Sequence, residues 1–261
     1  MPELPDLEIF KKNVFAKLTS KRLTGLSVFN IAKVIYPEKM LGDELSGRDL
    51  LRIDRIGKEL FFDFGEERKL SVHLMLNGEM SIVTPVAVDS VRFKIFALYF
   101  ENEALVFSDR GSLCTIKYKP IVTSIPDAFD ETFTQAYFLR LASKKSRTNI
   151  KTFLIDQNNV KGIGNAYADE ILWEARVSPH SITGQIPEDV LIRLYDAIRA
   201  VLQNAIESIR RISPDIISGE ERRFLRVHNK SLKQTETGHP IVVERLASKI
   251  TYHTDEQVIY S

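Results

Sequence analysis

The chain has 261 residues, 44% hydrophobic and 27% charged, the composition of a folded protein with room for two modest cores, which excludes global disorder. Lysine and arginine number 36 against 35 acidic residues, so a net charge of +1 gives no bulk attraction for a polyanion and any anion-binding surface must be local. The single cysteine, Cys114, excludes an internal disulfide and a thiolate zinc cluster. With no apolar run near the roughly eighteen residues of a membrane span and no export pattern at the N-terminus, a soluble intracellular protein is expected, cytoplasmic in a bacterium or nuclear in a eukaryote.

The first residues are Met1-Pro2-Glu3-Leu4-Pro5-Asp6-Leu7-Glu8. Removal of Met1 would turn Pro2 into a terminal secondary amine, a group that titrates at about 7.7–8.0 against about 10.4 for lysine. Such an amine attacks a sugar aldehyde carbon and collapses to an iminium, a good electron sink for elimination. Glu3 would stand beside it as general acid or base. The residues alone equally allow a stiff arm with Glu3 and Asp6 in the first turn of a helix, where acids suit the dipole.

From Asp6 to about Leu18, Leu7, Ile9, Phe10, Val14, Phe15 and Leu18 recur at helical spacing. Between Leu23 and about Lys119, short or alternating apolar runs such as Leu60-Phe61-Phe62-Asp63-Phe64, Leu70-Ser71-Val72-His73-Leu74 and Phe93-Lys94-Ile95-Phe96 are punctuated by Gly57, Gly65, Gly78 and Gly111. They predict a strand-rich domain, a sandwich or flattened barrel. Tyr118 to about Arg147 reads as a linker with a short helix. Helical patterns follow over Ile150 to Asp156, Ala166 to Ala175 and Pro187 to Ile212, and the alternation of Pro240 to Tyr260, ending in Val258-Ile259-Tyr260, predicts a terminal β-hairpin.

A second anchor is the segment Asp156-Gln157-Asn158-Asn159-Val160-Lys161-Gly162-Ile163-Gly164-Asn165. Its two glycines break one helix and let the backbone approach a ligand, and Asn165 stands where it would cap the next helix and leave an anion-binding end. Such glycine pairs are also ordinary turns.

Pro2-Glu3-Leu4-Pro5, Gly57-Lys58-Glu59-Leu60, His73-Leu74 with Gly78, and Asp156-Gln157 through Gly162-Ile163-Gly164-Asn165-Ala166-Tyr167-Ala168-Asp169-Glu170-Ile171-Leu172-Trp173 together resemble the formamidopyrimidine-DNA glycosylase and endonuclease VIII family. The matches occur in family order over most of the chain. The resemblance implies an α+β fold: an N-terminal helix and β-sandwich catalytic domain over 1–125, a helical DNA-binding domain with a helix-two-turn-helix over 126–230, and a hairpin finger over 231–261. It implies a monomeric base-excision repair glycosylase with abasic-site lyase activity on double-stranded DNA, using no cofactor.

By the same resemblance Pro2 is the Schiff-base nucleophile toward deoxyribose C1′ and Glu3 the proton donor to the opening sugar. Lys58, in a hairpin turn, contacts phosphate and assists elimination, where the residues alone would suggest only an exposed turn lysine. Asn165 with its preceding turn grips the phosphate backbone, Arg147 and Lys151 add to that surface, and His73 and Arg110 belong to the DNA-facing set. A flipped nucleotide leaves a hole that an apolar side chain fills, and Leu76 suits that task.

The chain also departs from the family. The finger's four cysteine places hold Gln234, Thr237, Thr254 and Gln257, so no structural zinc and no other metal site is expected. The finger's arginine, between the two strands, is replaced by Lys249, which keeps the charge without the bidentate fork. Ser112 and Leu113 stand where an arginine and a phenylalanine would meet the opposite base, unless Arg110 reaches there, and Asp6 replaces a usual glutamate. Two alternatives therefore stand beside the enzyme: a noncatalytic binder of damaged or abasic DNA, and a lyase with weak base excision.

Overall fold

The computed structural model describes residues 1–261. The backbone divides into two compact units, one of Met1–Pro2, Asp6–Thr123 and Ile209–Glu220, the other of Glu3–Pro5, Ser124–Ser208 and Glu221–Ser261.

Helix α1 (Leu4–Leu18), which belongs to the first unit from Asp6 onward, starts two residues before the expected Asp6. Its Leu7, Phe10, Val14 and Leu18, three or four apart, all enter the core. Strands β1 (Leu23–Val28), β2 (Val34–Ile35), helix α2 (Glu38–Leu45), β3 (Arg52–Ile56), β4 (Glu59–Asp63), β5 (Lys69–His73), β6 (Gly78–Val83), β7 (Lys94–Phe100), β8 (Glu103–Asp109) and β9 (Thr115–Tyr118) follow. They form two sheets, ordered β1-β7-β8-β6 and β2-β9-β5-β4-β3, antiparallel except for the β2 and β9 pair.

One core joins Leu60, Phe62, Leu70 and Val72 of the five-stranded sheet to Phe96, Leu98, Leu105 and Phe107 of the four-stranded sheet, so the arrangement is a sandwich. Phe62 meets Phe107 edge to face, with ring centroids 5.8 Å apart. Period-two alternation sends these residues inward, which is why the short runs were recognisable as strands.

The second unit contains α3 (Gln135–Lys144), α4 (Ile150–Ile155), α5 (Asn165–Glu174) and most of α6 (Glu188–Ile212), then the hairpin β10 (Val242–Leu246) and β11 (Lys249–His253). Every residue of α5 from Ala166 to Trp173 is buried, the mark of a helix enclosed on all sides. Phe133, Phe138, Phe153 and Tyr195 form an aromatic cluster with centroid separations of 5.4–6.1 Å. The hairpin closes through Ala247 and Ser248, both with positive φ, a turn that matches strand twist but strains non-glycine residues. Val258-Ile259-Tyr260 does not join the hairpin as expected. Instead Val258 forms a lone parallel bridge with Val177, and Tyr260 N–H and Ile182 N–H bond to Ser181 Oγ and Tyr260 C=O, respectively.

Phe107 is fully buried between Phe62 and Phe96. Phe107→Ala is expected to cost the sandwich about 3–5 kcal/mol, read as an earlier unfolding transition in urea.

Candidate active site

Glu3 belongs to the second unit through its side chain. Its carboxylate accepts hydrogen bonds from the N–H groups of Gly164 (2.7 Å), Ala166 (3.0 Å) and Tyr167 (3.4 Å), buried donors at the start of α5 that have no partner within the helix. The chain next to it is pinned as well, with Leu4 N–H donating to Gly162 C=O at 3.2 Å. Gln157 braces the turn, donating to the carbonyls of Ile155 and Ile163 at 2.8 Å and accepting from Gly162 N–H at 3.0 Å. Both glycines are sterically required here: a Cβ on Gly164 would lie 2.3 Å from the Glu3 carboxyl carbon, and one on Gly162, at φ +101, would lie 2.6 Å from Leu4.

These contacts correct the expected phosphate grip. Gly164, not Asn165, is the cap residue, and the positive end of α5 is filled by Glu3, leaving no open anion site there. Asn165 is the first helical residue, and its Nδ2 donates to Ile250 C=O at 2.8 Å, tying α5 to the hairpin. Sequence spacing located the helix start correctly, but which carboxylate would occupy it depends on a contact spanning 161 positions.

Lys151 is also placed differently. It is 2% exposed, its Nζ pairs with Asp169 at 2.7 Å and donates to Thr251 Oγ1 at 2.7 Å, so it cannot form part of an exposed basic surface. Burial pulls its ammonium below the ordinary lysine value, and the Asp169 carboxylate opposes that shift. Asp169 also accepts from Tyr252 N–H and contacts His228 Nδ1, while Glu170 accepts from the N–H groups of Arg226, Val227 and His228. Both acids lay inside the quoted motif without an assigned role, and only the fold reveals that they bind distant chain segments. Lys249 is exposed and opens β11 directly after the turn, while Arg147 is exposed in the loop after α3.

In the first unit Lys58 occupies the two-residue turn between β3 and β4, yet it is only 9% exposed and so is not a solvated turn lysine. Gly57, at φ +61, supplies the left-handed step. Arg55 holds the turn, donating to Gly57 C=O at 3.0 Å and to Glu8 of α1 at 2.7 Å. Burial raises the Glu8 carboxyl, but Arg55 and Lys11 outweigh it and hold it below its ordinary value. His73 pairs across the sheet with Glu59, and its Nδ1 accepts from Met75 N–H at 3.0 Å, supporting the turn that presents Leu76. Burial lowers the His73 pKa, consistent with a neutral acceptor.

Leu76 is 57% exposed, and Arg110 is exposed on the neighbouring loop. The two loops adjoin at Asn77 and Gly111. Asp109 shapes the second loop by accepting from the N–H groups of Gly111, Leu113 and Cys114, each at 2.7 Å. Phe93, read from sequence as part of a strand, stands before β7 at φ +56 and 56% exposed. With Asn77, Asp109 and Arg110 it lines a groove of about 890 Å³.

The hairpin finger is organised by Glu256. Its carboxylate accepts from Thr237 (2.9 Å), Thr254 (3.2 Å) and the Trp173 indole (3.1 Å) and pairs with Arg176 at 2.5 Å. Gln257 meanwhile bridges Thr254 N–H and Val177 C=O. Gln234, Thr237, Thr254 and Gln257 supply neither thiolate nor imidazole, and both threonine hydroxyls are committed to Glu256, so this set does not fit a structural zinc.

On the proton-donor role expected for Glu3, Gly164→Ala should displace its carboxylate and lower turnover by orders of magnitude while the far-UV spectrum stays native; unchanged turnover would refute that role. Partial burial raises the Glu256 carboxyl, but the Thr237, Trp173 and Arg176 interactions outweigh it and hold it below its ordinary value. A depressed folded value means that this stability is present above the usual carboxylate range and is lost as pH falls through the folded value. Amide protection in the hairpin, taken relative to the intrinsic exchange rate at each pH, should therefore fall on acidification, and Glu256→Ala should remove that pH dependence.

The family model for the Formamidopyrimidine-DNA glycosylase N-terminal domain matches residues 1–116, and that for the Formamidopyrimidine-DNA glycosylase H2TH domain matches residues 125–214. The formamidopyrimidine-DNA glycosylase of Lactococcus lactis subsp. lactis is 30% identical over 266 aligned positions, covering 97% of both chains. That of Carboxydothermus hydrogenoformans is 30% identical over 262, covering 97% of this chain and 98% of its own. Two solved structures of the Lactococcus lactis protein have a TM-score of 0.86 at 26% identity, each covering 98% of this chain. One is a complex with DNA containing an oxidised pyrimidine, of which 99% is covered, and the other a complex with DNA containing an abasic site, covered completely. The expected α+β architecture is thus the one observed, and the chain belongs to the formamidopyrimidine-DNA glycosylase family.

Proposed function

We infer that this protein is a base-excision repair enzyme that removes oxidised bases from double-stranded DNA and cleaves the resulting abasic site. Similarity over nearly the whole length to glycosylases crystallised on damaged and abasic DNA supports this reading. The observation that carries it is Glu3, covalently next to Pro2 and held by three amides at the head of α5. A carboxylate fixed in this way loses no freedom when it acts, the preorganisation that proton transfer requires.

The chemistry assigned to the site starts with removal of Met1, whose amine pairs with Glu220 in the unprocessed chain. The freed Pro2 nitrogen attacks C1′, the bond to the base breaks with its electron pair leaving on the base, and the proton shed by the attacking amine passes to the departing base. Opening of the sugar gives an iminium while Glu3 delivers a proton to the ring oxygen. Loss of the C2′ proton then expels the 3′ phosphate, with Lys58 beside that anion. Lys249 offers a further phosphate contact as a point charge, and the exposed Arg147 is assigned to the backbone. One chain carries every group named, in keeping with a monomer.

No helix is long and apolar enough to cross a membrane. An enzyme of this class works where the DNA is, in the cytoplasm of a bacterium, the source of the relatives compared, or in a nucleus.

Leu76 and Phe93 supply apolar surface for the space a flipped nucleotide leaves, but Ser112 and Leu113 cannot hydrogen-bond an opposite base as an arginine would. This favours weak opposite-base discrimination and keeps a lyase with poor excision as the second reading.

Borohydride should trap a covalent adduct between Met1-processed protein and abasic-site DNA, mapped to Pro2, and Pro2→Gly should reduce it greatly. Absence of the adduct would refute the enzyme. Trapping on abasic DNA without trapping on any of a panel of oxidised bases would select the lyase reading.

A further inference from the structure

His180, Glu244 and His253 form a cluster separate from both the candidate active site and the Glu256 network. They come from three segments: the loop after α5, the middle of β10 and the end of β11. Val242 pairs with His253, so Glu244, two residues further along β10, projects from the same face of the hairpin as His253. His180 approaches from the neighbouring loop, which is held by Ser178 N–H to Val258 C=O, Ile182 N–H to Tyr260 C=O and Asn149 Nδ2 to Pro179 C=O. Both imidazole Nε2 atoms converge on one Glu244 oxygen, at 2.5 Å from His180 and 2.7 Å from His253. The two rings stand edge to face with centroids 5.3 Å apart.

We propose that His180, Glu244 and His253 bind a divalent transition-metal ion, with zinc the best fit, and that this ion clamps the hairpin bearing Lys249 to the loop after α5. Two imidazoles and a carboxylate are a donor set that zinc accepts, and the ligand atoms already lie within 4.8 Å of one another. Around a tetrahedral ion with bonds of about 2.0–2.2 Å, ligand atoms stand roughly 3.4 Å apart. To admit the ion, the Glu244 oxygen must withdraw by under about 1 Å from each nitrogen, and the two nitrogens, within 4.8 Å of each other, must settle at the same roughly 3.4 Å spacing. Glu244 and His180 are 36% and 35% exposed, leaving an entry path and room for a water as fourth ligand, whereas His253 is more enclosed at 15%. Binding exchanges the shared hydrogen bonds for coordination, with each Nε2 presenting its lone pair and Nδ1 keeping the proton.

The clamp does not depend on the repair activity. It replaces, at another place on the same hairpin, the anchoring that cysteines would otherwise give. The test uses untagged full-length protein stripped with chelator and titrated with Zn²⁺ alone by calorimetry. Expected are one ion per chain, a higher Tm and slower amide exchange in β10 and β11. His180→Gln and His253→Gln should each weaken affinity by more than about tenfold, the scale on which even supporting groups act. His239→Gln, which alters a different His and Asp pair on the same finger, should leave affinity unchanged. Substituted Co²⁺ should show the visible absorption of a tetrahedral site. No saturable binding, or binding undiminished in His180→Gln and His253→Gln with circular dichroism confirming that both are folded, would overturn the proposal and leave the cluster as a hydrogen-bonded His-Glu-His contact.

Discussion

The Glu3 carboxylate at the head of α5 is the constraint from which much of the second unit follows. A helix begins with N–H groups that have no partner within the helix, and inside a protein these must be satisfied. Here a side chain 161 positions earlier in the chain satisfies them. That single solution demands a glycine at 164, where any side chain would strike the carboxyl group, and a left-handed glycine at 162, where the Leu4 side chain crosses the turn. It also fixes the terminal segment, so Pro2 lies one peptide bond from an immobilised residue. The dipole that elsewhere attracts a ligand anion here orients the Glu3 carboxylate.

A second theme is how the hairpin is held without thiolates. Glu256 gathers hydroxyl, indole and guanidinium donors from four residues, while Lys151 and Asp169, both fully enclosed, join α4 and α5 to the hairpin through Thr251 and Tyr252. Buried ions are costly to desolvate, and these two are tolerated because they pair with each other while Asp169 Oδ2 and Lys151 Nζ find further hydrogen-bond partners. Polar networks of this kind are directional, so they specify the hairpin's register as well as its attachment. The His180, Glu244 and His253 cluster lies at a third point of the same hairpin. Anchoring is thus distributed over several weaker contacts.

In the sandwich unit, the candidate site residues sit on turns whose shapes are set by buried or half-buried polar groups. Arg55 fixes the Lys58 turn, His73 the turn carrying Leu76, and Asp109 the loop carrying Arg110. The sheets supply a rigid base, while these local hydrogen bonds shape the turns that project from it.

The sequence by itself determined the order of elements, because helical and alternating periodicities are local and the strands and helices bury the faces those patterns mark. It also marked the candidate chemical groups, since Pro2 directly behind Met1, Glu3, a turn lysine at 58 and the Gly162 to Asn165 turn are recognisable as residue types in order. What tertiary structure alone decided was pairing across distance. Asn165 looked like a cap until Gly164 and Glu3 took that place, and Lys151 looked like a surface cation until Asp169 enclosed it. Val258 to Tyr260 alternates like a strand yet found Val177 and Ser181 before a strand partner. In each case residue type fixes what a group must satisfy, and only the folded chain determines which distant partner satisfies it.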